Sequence, residues 1–328
     1  MRRNNSLFEL IVDLDNILLA CIKAFKGKNN TDEVFRYKSD LVNYAQKIRS
    51  QLISGHIRCE NYRQFRIYEP KERLITAPNL NQRIIQHCIM NVCHGCFERK
   101  YIYHSYASRP KKGVQAAVSA VLKASMNTGH YLKMDFRKYF DSIDHNILKV
   151  QLSRIFKDNR LLYLLYDIID SYEVTPSKGL PIGNLTSQYF ANLYLTNLDH
   201  HMLEREKMKY YFRYMDDVVI LGKSQDALKR AFDVYDSISG NALKLQLKQP
   251  VYGSIREGLI FLGYRISSKG VTLSGESKRR LRKKLRLTHE LYEKGIISEK
   301  EKAAKEQSIV AFAAKAQSFN LIRSCIID

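Results

Sequence analysis

Tyr214-Met215-Asp216-Asp217 joins an aromatic run, Tyr210-Tyr211-Phe212-Arg213, to an apolar run, Val218-Val219-Ile220-Leu221. Each flank has the composition of a short strand, so the two carboxylates fall at the tight turn of a β-hairpin. Like charges crowded at a turn repel one another. A divalent cation that takes hard carboxylate oxygens is the simplest compensation. Lys133-Met134-Asp135-Phe136 adds a third carboxylate, Asp135, at the end of another mostly apolar strand. A lone aspartate there would read as a turn residue. Three carboxylates on two strands point instead to phosphoryl transfer around two magnesium ions, with manganese as a substitute. Neighbouring strand residues face opposite ways. Asp216 and Asp217 therefore cannot be equivalent ligands without help from the turn; Asp135 and Asp216 are the expected bridging ligands, and Asp217 the expected ligand of one ion only.

The charge balance names a partner class. The 328 residues carry 54 Lys and Arg against 33 Asp and Glu, a net charge of +21. A globular chain this basic usually meets a polyanion. No apolar run approaches twenty residues and no signal peptide is evident, so a membrane role is not expected. Six cysteines, at 21, 59, 88, 93, 96 and 325, are not spaced like a disulfide framework, which suits a reduced cytoplasmic setting. His87, Cys88, Cys93, His94 and Cys96 form a local cluster, but no second pair stands at zinc-finger spacing. Ile84, Ile85, Cys88, Ile89 and Val92 recur like one buried face of a helix.

Along the chain, residues 1–55 read as helices broken at Gly27. Phe65 to Tyr68 and Arg73 to Ile75 form a basic hairpin around Glu69-Pro70, and a helix runs from Leu80 to Cys93. Helices are expected over Val114–Ala124, His145–Phe156 (capped by Asp144), Asn159–Ile169, Ser187–Met208 and Ser224–Ser239. Strands are expected at Tyr131–Phe136, around Leu243–Leu247, and in a hairpin through Gly258 to Ile266. This order predicts an α+β fold, an antiparallel sheet backed by helices.

Motifs in order now carry a resemblance. Tyr214 to Asp217 resembles the catalytic box of reverse transcriptases. Asp135-Phe136-Arg137-Lys138-Tyr139-Phe140-Asp141-Ser142-Ile143 resembles their first catalytic motif. Gly179-Leu180-Pro181-Ile182-Gly183-Asn184-Leu185-Thr186-Ser187-Gln188 resembles the following palm motif, and Phe261-Leu262-Gly263-Tyr264 the primer-grip segment. Any one tetrapeptide is weak evidence; the ordered set is strong. The resemblance implies a right-hand polymerase: an N-terminal helical extension (1–55), fingers (56–130), a palm (131–266, with the loop and helix of 178–200 near the fingers junction) and a small basic helical thumb (267–328).

The same resemblance implies site roles. The Phe136 backbone carbonyl joins the three aspartates around metal. Phe140 lies beneath the incoming sugar and excludes a 2′-hydroxyl. Arg73, with Lys71 as a secondary candidate, holds the triphosphate by charge and by the planar guanidinium fork. Ile182, Gly183 and Gln188 belong to the nucleotide site. Arg109, Lys111, Lys112, Tyr214, Met215 and the primer-grip residues Phe261, Leu262, Gly263 and Tyr264 are template-primer candidates. So are Lys278, Arg279, Arg282, Lys283 and Arg286, from a nine-residue stretch with seven bases suited to duplex phosphates.

Leu180 to Gln188 resemble one branch in particular, the reverse transcriptases of diversity-generating retroelements. Many prokaryotic relatives, in group II introns and retrons, carry glutamine where Ile182 stands. A glutamine can hydrogen-bond near the nascent base pair and isoleucine cannot. Such a contact is worth about 1–3 kcal/mol in a dry site, so low fidelity is expected. That branch implies a template-repeat RNA copied into adenine-mutagenic complementary DNA, deoxynucleotide substrates, and a small basic pentameric accessory protein. It implies a prokaryotic cytoplasm, with a phage or mobile element as the source. Retron, defence or CRISPR-associated reverse transcriptases, and a non-catalytic RNA-binding scaffold, are the alternatives.

Overall fold

The computed structural model describes residues 6–28, 31–55, 57, 62–68, 72–313 and 316. Four helices lead: α1 (Phe8–Ile11), α2 (Leu14–Phe25), α3 (Asp32–Ser39) and α4 (Leu41–Ser54). The hairpin β1 (Arg63–Ile67) and β2 (Arg73–Ala77) precedes α5 (Leu80–Glu98), α6 (Val114–Ser125) and β3 (His130–Met134). Then come α7 (Tyr139–Ser142), α8 (His145–Ser153), α9 (Asn159–Asp170), α10 (Leu185–Tyr194), α11 (Thr196–Glu204), β4 (Tyr210–Tyr214) and β5 (Asp217–Gly222). The remainder is α12 (Gln225–Leu243), β6 (Val251–Ser254), β7 (Leu259–Phe261), β8 (Tyr264–Ser267), β9 (Gly270–Leu273), α13 (Gly275–Glu293) and α14 (Glu299–Ala313). The fold is α+β, with an antiparallel sheet and packed helices, as the sequence order predicts. Among the described residues, no helix is long and apolar enough to cross a membrane.

The chain divides into two compact units. One comprises Met1–Tyr103, Phe136–Arg205 and Tyr235–Lys248; the other comprises His104–Asp135, Glu206–Val234 and Gln249–Asp328.

In the first unit α5 is the central helix. Asn79 and Gln82 form a reciprocal capping box that starts it at Leu80. Ile84, Ile85, Cys88 and Ile89 are buried along it, as the periodicity predicts, while Val92, the fifth residue of that face, is only half-buried and Cys93 is buried beside it. The helix outruns its expected end at Cys93 because Cys96 and Phe97 continue that face. Phe97 packs edge-on to Phe156, with centroids 5.6 Å apart. The cysteines 21, 88, 93 and 96 are free and buried, and burial pushes the Cys88 and Cys93 thiols well up.

Two expectations are corrected in this unit. The single helix Ser187–Met208 is two helices, α10 and α11, meeting at Leu195. There the Thr196 hydroxyl donates back to the Asn192 carbonyl at 2.9 Å, a bond that bends helices. The strand around Leu243–Leu247 is absent. Instead α12 runs on to Leu243, whose carbonyl accepts from the buried Tyr194 hydroxyl at 2.7 Å. Leu247 makes one isolated bridge, to Phe136.

In the second unit the four-stranded sheet has the order β4-β5-β3-β6 and every pairing is antiparallel. The strand that flanks β3 opposite β5 is β6. A three-stranded sheet, β7-β8-β9, shares one apolar core with α6, α13 and the inward residues Phe212, Val219 and Leu221. The expected hairpin through Gly258 to Ile266 is β7-β8, turned at Leu262 (φ 50°) and Gly263 (φ 86°). Positive φ at both loop residues is the type I′ pattern, which matches strand twist.

Candidate active site

The Asp-Asp turn is a two-residue hairpin loop, since Tyr214 pairs with Asp217. Met215 and Asp216 form the loop, and of the two only Met215 has a positive φ, 56°. That is the type II′ pattern, which ordinarily wants glycine at the first position. A side chain there costs roughly 1–2 kcal/mol. Arg213 sustains it. This arginine is fully buried, and its Nη1 donates to the Met215 carbonyl at 2.9 Å. Its backbone is fixed on both sides, the amide donating to His104 and the carbonyl accepting from Tyr106, each at 2.9 Å.

Asp135 follows the last residue of β3. Met134 lies opposite Val218, so one further step sets Asp135 opposite Asp217 across the two strands. Burial pushes the Asp217 carboxyl up to about 7; nearby Lys133 opposes this, and the Asp135 and Asp216 carboxylates add to the rise. Lys133 Nζ stands 3.5 Å from Asp217 Oδ2 and donates to the Ile260 carbonyl at 3.2 Å. Asp217 Oδ1 is buried without a hydrogen-bond partner. An orphaned carboxylate oxygen beside two like charges is a donor set suited to a hard cation. Among the described residues, no group of three His, Cys, Asp or Glu side chains is arranged to hold a metal ion. Magnesium sites in polymerases characteristically use one or two carboxylates plus substrate phosphates rather than an all-protein cage, so these residues fit the group.

The nucleotide candidates lie in the first unit, where the backbone stitches them together. The Thr76 amide donates to the Ile182 carbonyl at 2.7 Å and the Leu180 amide to the Phe140 carbonyl at 2.8 Å. Ile182 is half-buried and Gly183 exposed. Gly183 has φ +133°, and a Cβ on it would stand 2.8 Å from the Thr76 carbonyl oxygen, so glycine is needed for this approach. Arg73 is exposed at the start of β2. Phe140 is half-buried, while its neighbour Tyr139 is buried and donates to the Ala191 carbonyl at 2.6 Å. The packing role thus falls to Tyr139. Phe136 is buried 6.0 Å from the Tyr235 ring, and Gln188 is half-buried on α10. Lys71 lies outside the described residues.

The template-primer candidates divide by exposure. Arg109 Nη1 donates to the Ser105 carbonyl at 2.8 Å and Lys112 Nζ sits 5.1 Å above the Tyr106 ring; Lys111 is exposed. Phe261 and Tyr264 are fully buried, and the Tyr264 hydroxyl donates to the Phe312 carbonyl at 2.7 Å. In that segment the Leu262-Gly263 turn is the half-exposed part. On α13, Leu281 and Leu285 face inward, Arg279, Arg282, Lys283 and Arg286 are exposed, and Lys278 is half-buried.

The family model described as reverse transcriptase (RNA-dependent DNA polymerase) matches residues 68–266. The chain belongs to the reverse transcriptase family. Protein YkfC of Escherichia coli (strain K12) is 25% identical over 273 residues, 68% of this chain and 71% of YkfC. The group II intron-encoded protein LtrA of Lactococcus lactis subsp. cremoris is 26% identical over 147 residues, 43% of this chain and 24% of LtrA. The putative COX1/OXI3 intron 1 protein of Saccharomyces cerevisiae is 26% identical over 210 residues, 60% of this chain and 25% of that protein. The chain thus spans about a quarter of the length of these two intron proteins. Among solved structures, telomerase from Candida albicans in complex with a fragment of telomeric RNA aligns with a TM-score of 0.52 at 11% identity, covering 78% of this chain and 55% of that one. That likeness is one of fold.

Two residues of this reverse transcriptase that the motifs do not single out bear on the carboxylates, Lys133 by reaching Asp217 and Arg213 by holding the Met215 carbonyl in the turn. Lys133 is legible only as a strand residue two before Asp135, with nothing to indicate its reach to Asp217. Arg213 reads only as the end of an aromatic-rich strand run, with nothing to announce its burial.

Proposed function

We propose that this chain is an RNA-directed DNA polymerase of a diversity-generating retroelement, copying a template-repeat RNA into error-prone complementary DNA. The observation that carries the polymerase reading is the Asp135, Asp216 and Asp217 set at the adjoining ends of paired strands, with a buried, unpartnered Asp217 oxygen. Asp135, Asp216 and Asp217, with the Phe136 carbonyl, are the groups that would hold the ions. When bound, two magnesium ions would make the 3′-hydroxyl more acidic and neutralise the departing pyrophosphate. Arg73 orients the triphosphate, Phe140 excludes a 2′-hydroxyl, and the exposed bases of α13 hold duplex phosphates. In this reading the four-stranded sheet belongs to a palm, the β1-β2 hairpin to fingers and α13-α14 to a thumb.

The retroelement assignment is supported by Ile182, an apolar side chain in the loop bonded to β2. An apolar residue supplies no hydrogen bond to a base edge, and discrimination falls roughly ten- to a hundredfold when 1–3 kcal/mol of contact is absent. A template RNA, deoxynucleotides and a small basic pentameric accessory protein are the proposed partners, in a prokaryotic cytoplasm. The kinship with YkfC and LtrA favours a second reading, another bacterial reverse transcriptase.

Sequencing complementary DNA made on a defined RNA with magnesium, with and without accessory protein and cognate RNA, separates the two. Errors concentrated opposite template adenines support the retroelement. Faithful or evenly erroneous product moves the chain to another reverse transcriptase class.

A further inference from the structure

A buried histidine anchors the loop that carries Ile182. His145 opens α8 and is buried. Its Nε2 lies 2.8 Å from the Gly179 carbonyl oxygen. A carbonyl oxygen only accepts, so Nε2 carries the proton. Across the ring, Nδ1 faces Asp170 Oδ1 at 3.4 Å, and Asp170 is itself held by Lys149 at 2.5 Å. The His145 amide donates to the Ser177 carbonyl at 2.9 Å, so one residue grips the loop twice.

Gly179 is the point where this grip meets the loop's geometry. Its φ is +120°, and a Cβ there would stand 3.0 Å from the Val174 backbone nitrogen, so only glycine makes the bend. The Gly179 amide is tied to Ile143 at 2.9 Å and the next amide, Leu180, to Phe140 at 2.8 Å. Two residues on, the Ile182 carbonyl receives the Thr76 amide. The Gly179–Leu180 peptide therefore sets both where Phe140 is held and where Ile182 begins, and the imidazole fixes that peptide's oxygen.

We propose that His145 is a positioning residue for base selection. It fixes the Gly179 carbonyl and thereby places Ile182 and Phe140 against the incoming nucleotide. This rests on the polymerase reading above. Without the Nε2 donor a buried carbonyl loses its partner and the peptide is free to turn.

The test compares wild type, His145→Gln and His145→Leu as full chains on an RNA template with a DNA primer. Single-nucleotide insertion gives kcat and KM for each deoxynucleotide, and sequencing gives the error frequency at each template base. The glutamine amide can reach the same oxygen; leucine cannot donate. Folded His145→Leu should raise KM for deoxynucleotide about tenfold, the worth of one such bond, and alter the error spectrum, while His145→Gln stays near wild type. A folded leucine variant with wild-type KM and errors overturns the proposal, as does a glutamine variant no better than leucine. If the leucine variant fails to fold, His145→Phe, which keeps the ring but has no donor, should shift both readouts in the same direction; wild-type values there overturn the proposal. A wild-type chain that extends no primer overturns the polymerase reading itself.

Discussion

The Thr76 amide and the Ile182 carbonyl meet at 2.7 Å, joining strand β2 to the glycine-bounded loop of the first unit. Arg73 begins that strand. The arginine assigned to triphosphate and the isoleucine assigned to base discrimination therefore belong to one hydrogen-bonded frame. Gly183, next in line, lies close enough to Thr76 to exclude any side chain.

Gly183→Ala should break this frame. Its Cβ would meet a backbone oxygen at 2.8 Å and sit at φ +133°, a conformation that costs about 1–3 kcal/mol for a non-glycine residue. The variant should fold with slightly lower stability and show deoxynucleotide KM raised at least tenfold. Steady-state insertion kinetics check this; an unchanged KM would mean the loop is not part of the nucleotide site.

Asp217 makes stability depend on pH in a definite direction. Its carboxyl is raised from 3.8 to about 7, so between these values the folded state holds a proton that the unfolded chain has lost. Stability of the cation-free protein therefore falls as pH rises through that window, at about 1.4 kcal/mol for each unit of pKa difference. Asp217→Asn should remove this slope and be the more stable protein at pH 8. Magnesium should stabilise the wild type there more than the variant. Urea unfolding at pH 5 and pH 8 measures both; parallel pH profiles would contradict the assignment.

Arg213→Leu should unsettle the turn from beneath. It removes a buried donor from the Met215 carbonyl while the strained φ of Met215 remains. Losing a charged hydrogen bond in a buried site costs about 1.5–3 kcal/mol. Primer extension should drop by more than tenfold, and thermal unfolding should report the loss of stability. A variant as active and stable as wild type would show that the turn holds itself.

Replacing Arg279, Arg282, Lys283 and Arg286 together by glutamine should flatten the salt dependence of primer-template binding. Each neutralised phosphate contributes about 0.9 to the slope of log affinity against log salt for a duplex, so the slope should fall by about 3 to 4. All four lie exposed on the face of α13 opposite Leu281 and Leu285, which leaves the core intact. An unchanged slope would remove this helix from the interface.

What the sequence revealed follows from how local each signal is. The Asp216-Asp217 turn was legible because two strands and their two-residue loop lie within thirteen residues, Tyr210 to Gly222. The α5 start at Leu80 was legible from the apolar face that follows it. The break at Leu195 was not, since Thr196 continues the helical pattern and only its back-bond to Asn192 divides the run. Leu243 and Leu245 alternate like a strand, yet tertiary packing buries both at the end of α12. Lys133, His145 and Arg213 escaped for a common reason. Each acts on an atom that the fold, not the sequence, brings within reach: Asp217 Oδ2, the Gly179 oxygen and the Met215 oxygen. Arg213 is two residues from its partner, but nothing in its residue type announces burial.

The most direct test of the central claim is single-nucleotide extension of a DNA primer on an RNA template with magnesium, comparing wild type with Asp216→Asn. Extension by wild type, and loss of at least a thousandfold in a variant that still folds and binds RNA, is the predicted result. Near-normal extension by Asp216→Asn, or none by wild type, would contradict it.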